Sequence, residues 1–159
     1  NTRLVGSEMC IRDSVYTYPA SSTGLTGVIP TWVQEGGHRA WMERMKNKKV
    51  RKRLLDDIRK ELSEQPPEGI LMVGFENNSL DEMYRGKTIA EASLMRNQSP
   101  EETIIDLVIE DDSRIQCVYY SMSEENLRKK ISLPWVSFCS DAGSYSDIEK
   151  DFRLSLIHI

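Results

Sequence analysis

The chain has 159 residues, 39% of them apolar and 29% charged, and its 21 basic and 25 acidic side chains give a formal charge of -4. This composition is typical of a globular protein and excludes a low-complexity or collagen-like chain. No apolar run approaches the roughly 18 residues that a membrane-spanning helix needs. The length permits a real hydrophobic core, but not a complete α/β barrel of about 250 residues.

One DNA segment, read in opposite orientations, can encode both ends of the chain. Residues 9–14, back-translated from the last base of the Glu8 codon, read GATGTGTATAAGAGACAG, and the reverse complement encodes residues 154–159. Such an inverted repeat is typical of a sequencing-library adapter around a DNA insert. We therefore predict that residues 1–14 and 154–159 are non-native and adapter-derived, and that residues 15–153 are a partial domain.

The first half of the native part predicts one strand and then a long helical region. Val15–Tyr18 is a β-branched and aromatic run that leads into a small, polar turn over Ala20–Gly27. Two apolar stripes at helical spacing begin after Gly36 and Gly37 and stop at Pro66.

The second half alternates strands with capped helices. Hydroxyl residues precede each of the three helices and can accept a hydrogen bond from its first turn: Thr88, Ser99 and Ser123. The predicted strands are Ile70–Val73, Ile115–Tyr120 and Trp135–Phe138. Strands separated by helices predict parallel pairing through crossover connections, and therefore an α/β fold.

A strongly basic run, Arg44–Arg53, is the most conspicuous charge feature. Acidic residues follow it directly, and Lys52 with Asp56 and Arg53 with Asp57 are spaced for ion pairs across one helical turn. We interpret the run as a solvated helix face. An acidic chain without aromatic residues between its cations lacks the pattern of a nucleic-acid-binding protein, so we expect no nucleic-acid partner.

The native part retains one histidine, His38, and two cysteines, Cys117 and Cys139. No C-x-x-C or H-x-x-x-H spacing is present, so neither a disulfide framework nor a self-contained zinc site is expected. We predict a surface or capping role for His38. Both cysteines lie in apolar strands, so we predict that both are buried.

Asp141 is the residue best placed for chemistry. It directly follows an apolar strand, and parallel α/β sheets bind ligands at the carboxyl ends of their strands. Tyr16 and Tyr18 alternate with Thr17, so their hydroxyls point to one side, and Ser22 adds a further neutral donor that suits an anionic oxygen. The alternatives are an Asp that caps a turn and two tyrosines that pack in a core.

These residues also carry a family resemblance. The segments VYTYPASSTGLTGVIPTWVQEGG, NNSLDEMYRGKTIAEA, SPEETIIDLVIEDD and VSFCSDAGS resemble the C-terminal part of the catalytic domain of N-acyl-D-amino-acid deacylases (D-aminoacylases), a branch of the amidohydrolase superfamily. The resemblance implies a fragment of a distorted (β/α)8 metallo-dependent hydrolase barrel, made of the last strands and a helical insertion. It also implies zinc, with its ligands upstream of Val15.

By the same resemblance, Asp141 matches the catalytic Asp at the end of the last barrel strand, and Tyr16 and Ser22 match positions that hold the substrate carboxylate. The expected partners are a small N-acyl-D-amino acid and the missing remainder of the chain, with no membrane span. Three alternatives remain open: an amidohydrolase for N-acyl-D-glutamate, N-acyl-D-aspartate or a cyclic amide, a non-catalytic α/β binding module, and a basic-helix domain that binds polyanions.

The coding DNA tests the assignment of the two ends. We expect it to carry the inverted repeat derived above, with the codons ATG TGT ATA AGA GAC at Met9–Asp13. Sequencing that DNA checks the expectation, and any other set of codons at these five positions contradicts it.

Overall fold

The computed structural model describes residues 13–141, which form a mixed α/β structure divided into two compact units. Unit 1 contains the described residues up to Pro19 and from Met122 onward, and unit 2 is Ala20–Ser121. Five strands are described: β1 Asp13–Tyr16, β2 Ser21–Gly24, β3 Ile70–Gly74, β4 Gln116–Tyr119 and β5 Val136–Cys139. Seven α-helices are described: α1 Thr31–Gln34, α2 Gly37–Lys46, α3 Lys48–Glu64, α4 Asn78–Tyr84, α5 Ile89–Arg96, α6 Pro100–Asp111 and α7 Glu124–Ile131.

Unit 1 is a parallel pair of strands. β1 pairs with β5 in the register Asp13↔Val136 to Tyr16↔Cys139. The Ser123 side chain accepts a hydrogen bond from the backbone of Asn126, so the predicted cap of α7 is confirmed. β1 begins at Asp13, two residues before the predicted native part. Backbone hydrogen bonds between strands can form with any side chain, so this pairing does not show whether residues 13 and 14 are native. The origin of the ends therefore stays a prediction.

Unit 2 contains an antiparallel sheet with the strand order β2-β4-β3. The prediction of parallel pairing is confirmed for β1 and β5 but is wrong for this sheet. Helices α4 to α6 connect the end of β3 to the start of β4, and Gly74, the last residue of β3, lies opposite Gln116, the first residue of β4. Because β4 starts beside the end of β3, the two strands are antiparallel. The predicted turn over Ala20–Gly27 is also wrong in part. It contains β2, which pairs with β4, and a 3-10 turn that begins at Leu25.

The helices of unit 2 follow their sequence signals. Thr88 and Glu91 form a reciprocal capping box at the start of α5, and the Ser99 hydroxyl accepts from the backbone of Glu102 at the start of α6. The apolar stripe of α3 buries Leu54, Ile58 and Leu62. The predicted helices are confirmed at these positions because capping and periodicity are local properties.

One hydrophobic core holds unit 2 together. Its members come from α1 to α6, the sheet and the 3-10 turn, and its largest fully buried side chains are Leu25, Val33, Met45, Leu54, Ile58, Ile70, Met72, Ile89, Ile104, Ile105, Leu107 and Ile115. A buried carboxylate, Asp111, accepts hydrogen bonds from the backbone amides of Glu76 at 3.3 Å and Asn77 at 2.9 Å. The end of α6 is thereby fixed to the loop after β3.

Unit 1 has no core of its own among the residues described. None of its described residues is buried. Five large apolar side chains are exposed instead: Met122, Ile131, Leu133, Trp135 and Phe138. Parallel sheets normally have both faces covered, and two strands alone are marginally stable. In the whole described range, no helix is long and apolar enough to cross a membrane.

An ion pair between the exposed Arg59 and the buried carboxylate of Glu101 fixes α3 to α6. The Glu101 carboxylate accepts hydrogen bonds from the Arg59 guanidinium, one of them from Nε at 2.9 Å, and the Glu101 side chain is only 8% exposed. Burial by itself raises the pKa of Glu101, but the Glu101 backbone amide and Arg59 outweigh it and hold that pKa below its ordinary value. The pair therefore stabilises the fold while Glu101 is ionised.

Glu101→Gln tests this ion pair. A carboxyl whose pKa is lower in the folded state adds stability above its unfolded pKa of about 4.3 and loses it as the pH falls through the folded value. We expect the substitution to lower the free energy of unfolding at pH 7 by about 1.5–3 kcal/mol, the usual value of a hydrogen bond to a charged group. In urea unfolding, this difference from the wild type should shrink as the pH falls below 4. The matched control is Glu64→Gln on the exposed end of α3, and an equal loss there contradicts the assignment.

Candidate active site

The candidate site lies at the carboxyl ends of β1 and β5. Tyr16 is the last residue of β1 and lies opposite Cys139, the last residue of β5. Asp141 follows Cys139 by two residues, is exposed and has a backbone φ of 50°, a left-handed conformation that Asp tolerates better than most residues. The parallel register therefore brings two predicted site residues, Tyr16 and Asp141, to one edge of the sheet.

The two faces of this strand pair differ in chemistry. Ser14 pairs with Ser137 and Tyr16 with Cys139, so these four side chains share one face. Val15 pairs with Phe138 on the other face. Asp13 and Val136 share that second face, which therefore carries three apolar side chains and one carboxylate, whereas the face of Tyr16 carries two serines and Cys139.

The Tyr16 hydroxyl has a weak partner. It donates to the Met122 thioether sulfur at 3.5 Å, and a thioether is a poor acceptor. The Tyr16 and Tyr18 rings stack with centroids 6.4 Å apart, which confirms that they share one side of the chain. Among the described atoms, the hydroxyls of Thr17 and Tyr18 are buried without a hydrogen-bond partner. The Tyr16 hydroxyl can therefore exchange its sulfur partner for a charged oxygen at a net gain.

Ser22 belongs to unit 2. It is exposed on β2 and pairs with Val118 of β4, and its hydroxyl donates to the backbone carbonyl of Cys117 at 3.2 Å. The hydroxyl oxygen retains lone pairs that can accept a further hydrogen bond. The structure thus places Ser22 on a different unit from Tyr16 and Asp141.

The remaining candidates have structural roles. The His38 ring lies 3.1 Å from a carboxylate oxygen of Asp112 and contacts Trp41 edge-on, and its side chain is half exposed. The predicted surface role of His38 is confirmed. Cys117 is buried as predicted, and burial raises the pKa of its thiol to about 12. The prediction for Cys139 is wrong: it is partly exposed, because β5 lies in a two-stranded sheet whose residues are not buried.

No described group of three or more His, Cys, Asp or Glu side chains is arranged to hold a metal ion. The sequence resemblance implies zinc ligands upstream of Val15, so that expectation stays a prediction. Sequence reasoning missed the contact of Met122 with Tyr16, since no spacing rule relates two residues 106 positions apart.

Comparison with known proteins gives one structural likeness. No protein family and no curated protein sequence matches the chain. The chain is similar to the crystal structure of N-acyl-D-glutamate deacylase from Bordetella bronchiseptica, complexed with zinc and a phosphonate inhibitor that mimics the tetrahedral intermediate of its reaction. The two chains are 14% identical with a TM-score of 0.47, over 82% of this chain. The chain spans 19% of the length of that protein.

The different surroundings of the two cysteines can be tested with a thiol reagent. In a Cys10→Ser background we expect the partly exposed Cys139 to react in the native chain, and Cys117 to react only after unfolding, since the reagent needs an accessible thiolate. Mass spectrometry of the alkylated peptides measures both rates. Equal native-state rates at Cys117 and Cys139 contradict the burial of β4.

Proposed function

We propose that the chain is part of a zinc-dependent amidohydrolase that cleaves the amide bond of N-acyl-D-amino acids and releases a carboxylic acid and a free D-amino acid. The proposal rests on the sequence segments that resemble this enzyme family. One structural observation supports it most: the pairing of Tyr16 with Cys139 brings Tyr16 and Asp141 to the carboxyl end of one parallel strand pair. Ligands of parallel α/β proteins bind at this end.

In this proposal Asp141 is the general base. Its exposed carboxylate takes a proton from the water that attacks the amide carbon, and it then delivers the proton to the leaving nitrogen. The carbon–nitrogen bond breaks as the nitrogen becomes an amine. Because the Asp141 side chain is exposed, a water molecule can reach its carboxyl group.

Tyr16 and Ser22 orient the substrate in the same proposal. Both carry neutral hydroxyls, and a hydrogen bond from a hydroxyl to a carboxylate is stronger than one to a thioether or a neutral carbonyl. A substrate carboxylate would therefore displace the Met122 sulfur from Tyr16. We assign no catalytic step to zinc, because the described residues lack a ligand set for it, and we propose that its ligands lie upstream of Val15.

The exposed apolar side chains of unit 1 support the proposal that this unit is one part of a larger barrel. β1 and β5 pair only with each other among the described strands, so each has one edge without a partner. Phe138 and Trp135 are 57% and 48% exposed. Further parallel strands from the rest of the same polypeptide would cover both features.

Asp141→Asn in the protein translated from the unbroken gene tests the assigned base. The amide keeps the shape of the side chain but cannot accept the proton, so we expect kcat to fall by roughly two to four orders of magnitude on an N-acyl-D-amino acid. Tyr16→Phe and Ser22→Ala each remove one hydrogen bond to a charged group, worth about 1.5–3 kcal/mol, and should mainly raise KM.

Asp112→Asn is the matched control, because Asp112 is also exposed with a left-handed backbone, at a φ of 51°. Its kcat should equal that of the wild type. A kcat for Asp141→Asn within about tenfold of the parent would make Asp141 a turn residue. The absence of D-specific hydrolysis by the complete protein would overturn the proposed function, and zinc-dependent hydrolysis by residues 15–153 alone would contradict the placement of the metal ligands.

A further inference from the structure

Seven of the 21 basic residues of the chain lie within Arg44–Arg53, and this segment contains no acidic residue. It covers the last turn of α2 and the first turns of α3. In the structure the arginines of this segment form side-chain contacts and the lysines form no ion pair among the described residues, a difference that the sequence does not reveal.

The three arginines are held by other parts of unit 2. Arg44 donates to the backbone carbonyls of Val33, at 2.8 Å, and Glu35. Arg51 donates to Asp106 at 2.9 Å. Arg53 lies 4.3 Å from the centroid of the Trp32 ring and 3.6 Å from a carboxylate oxygen of Asp57. These three cations therefore serve the fold.

The four lysines differ from these arginines. The side chains of Lys46, Lys48, Lys49 and Lys52, which we call the lysine surface, are exposed and form no ion pair within residues 13–141. The predicted pair between Lys52 and Asp56 is wrong, because Asp56 pairs with Arg59 at 3.1 Å instead. The acidic residues of α3 that form recorded ion pairs therefore form them with arginines, not with these lysines.

The position of the lysine surface is unfavourable for the isolated helix. α3 has no acidic residue in its first turn and no basic residue in its last turn, the reverse of what the helix dipole favours. Lys48 and Lys52 are also like charges one turn apart, which destabilises a helix. The Asn47 side chain caps α3 by accepting from the Lys49 backbone amide, but it brings no negative charge to these lysines. Residues that break a local rule in this way often serve a function.

The side chains around the lysine surface limit the classes of partner that it can bind. None of the exposed large apolar side chains of the described range lies in α2 or α3, so the surface lacks the anchor that a protein interface or a membrane surface would use. It also lacks exposed aromatic rings on which single-stranded bases could stack. Flexible lysines without such groups suit closely spaced phosphates that are bound without regard to sequence.

We infer that the lysine surface, Lys46, Lys48, Lys49 and Lys52, binds the phosphate backbone of duplex nucleic acid. This reverses the expectation from composition, because contact with duplex phosphates needs no aromatic side chain. The net charge of -4 does not prevent this contact, because charges farther than about 8–10 Å are largely screened at physiological ionic strength. Four phosphate contacts predict a slope of roughly -3.6 for the logarithm of the association constant against the logarithm of salt concentration. This inference does not depend on the proposed hydrolase activity.

Fluorescence anisotropy of a labelled DNA duplex, titrated with the 159-residue chain at several salt concentrations, tests the inference. We expect weak, sequence-independent binding with a slope near -3.6, lost when all four lysines are replaced by Gln. The matched control replaces four other exposed cations, Lys60, Lys87, Arg114 and Lys130, by Gln. Both variants change the net charge equally, so only the first should lose binding. Circular dichroism verifies that each variant is folded.

The other outcomes overturn the inference. Equal loss in both variants would mean that net charge alone controls binding. Tighter binding to a single strand, to polyglutamate or to anionic vesicles than to the duplex would assign the lysine surface to another class of partner. A wild-type chain that does not bind the duplex even at low salt would leave the lysines as a solvated helix face.

Discussion

The parallel pairing of β1 with β5 is the constraint on which the proposed site depends. The two strands are the first and last elements described, yet they are neighbours in register from Asp13↔Val136 to Tyr16↔Cys139. A parallel neighbour requires a crossover, and α7 lies directly before β5 along the chain. The elements β1, α7 and β5 thus have the order of a βαβ unit, and only this pairing relates Tyr16 to Asp141.

Unit 2 is an insertion into that βαβ unit. Its first strand residue, Ser21, pairs with Tyr119 near its end, so the chain enters and leaves unit 2 at neighbouring positions. Adjacent termini are what an inserted domain needs if it is to leave the host strands in register. All residues of the described core cluster lie in unit 2, so the insertion has the hydrophobic support that unit 1 lacks within the described range.

Local features of the fold could be predicted from the sequence, whereas pairings between distant residues could not. The capping signatures of Thr88, Ser99 and Ser123 identified three helix starts correctly, because a cap involves neighbouring residues. The strand β2 was missed because three of its four residues are Ser or Gly, which do not favour strands, and only the pairing with β4 fixes their conformation.

The candidate site shows the same division. Strand alternation predicted that Tyr16 and Tyr18 share a side, and their rings stack. The partial exposure of Cys139 depends instead on what lies across the sheet. Outside the site, the predicted ion pair of Lys52 with Asp56 fails in the same way, because Asp56 pairs with Arg59. Neither follows from spacing along the chain.

A disulfide between positions 16 and 139 tests the central pairing most directly. Neighbouring strands lie about 4.8 Å apart, within the Cα separation of about 4.4–6.8 Å that a disulfide needs. In a Cys10→Ser background, Tyr16→Cys should therefore cross-link to Cys139 under mild oxidation, and mass spectrometry should detect the linked peptides. Val15→Cys, on the opposite face, should not cross-link. A cross-link from Val15→Cys, or none from Tyr16→Cys, would contradict the register that brings Tyr16 and Asp141 together.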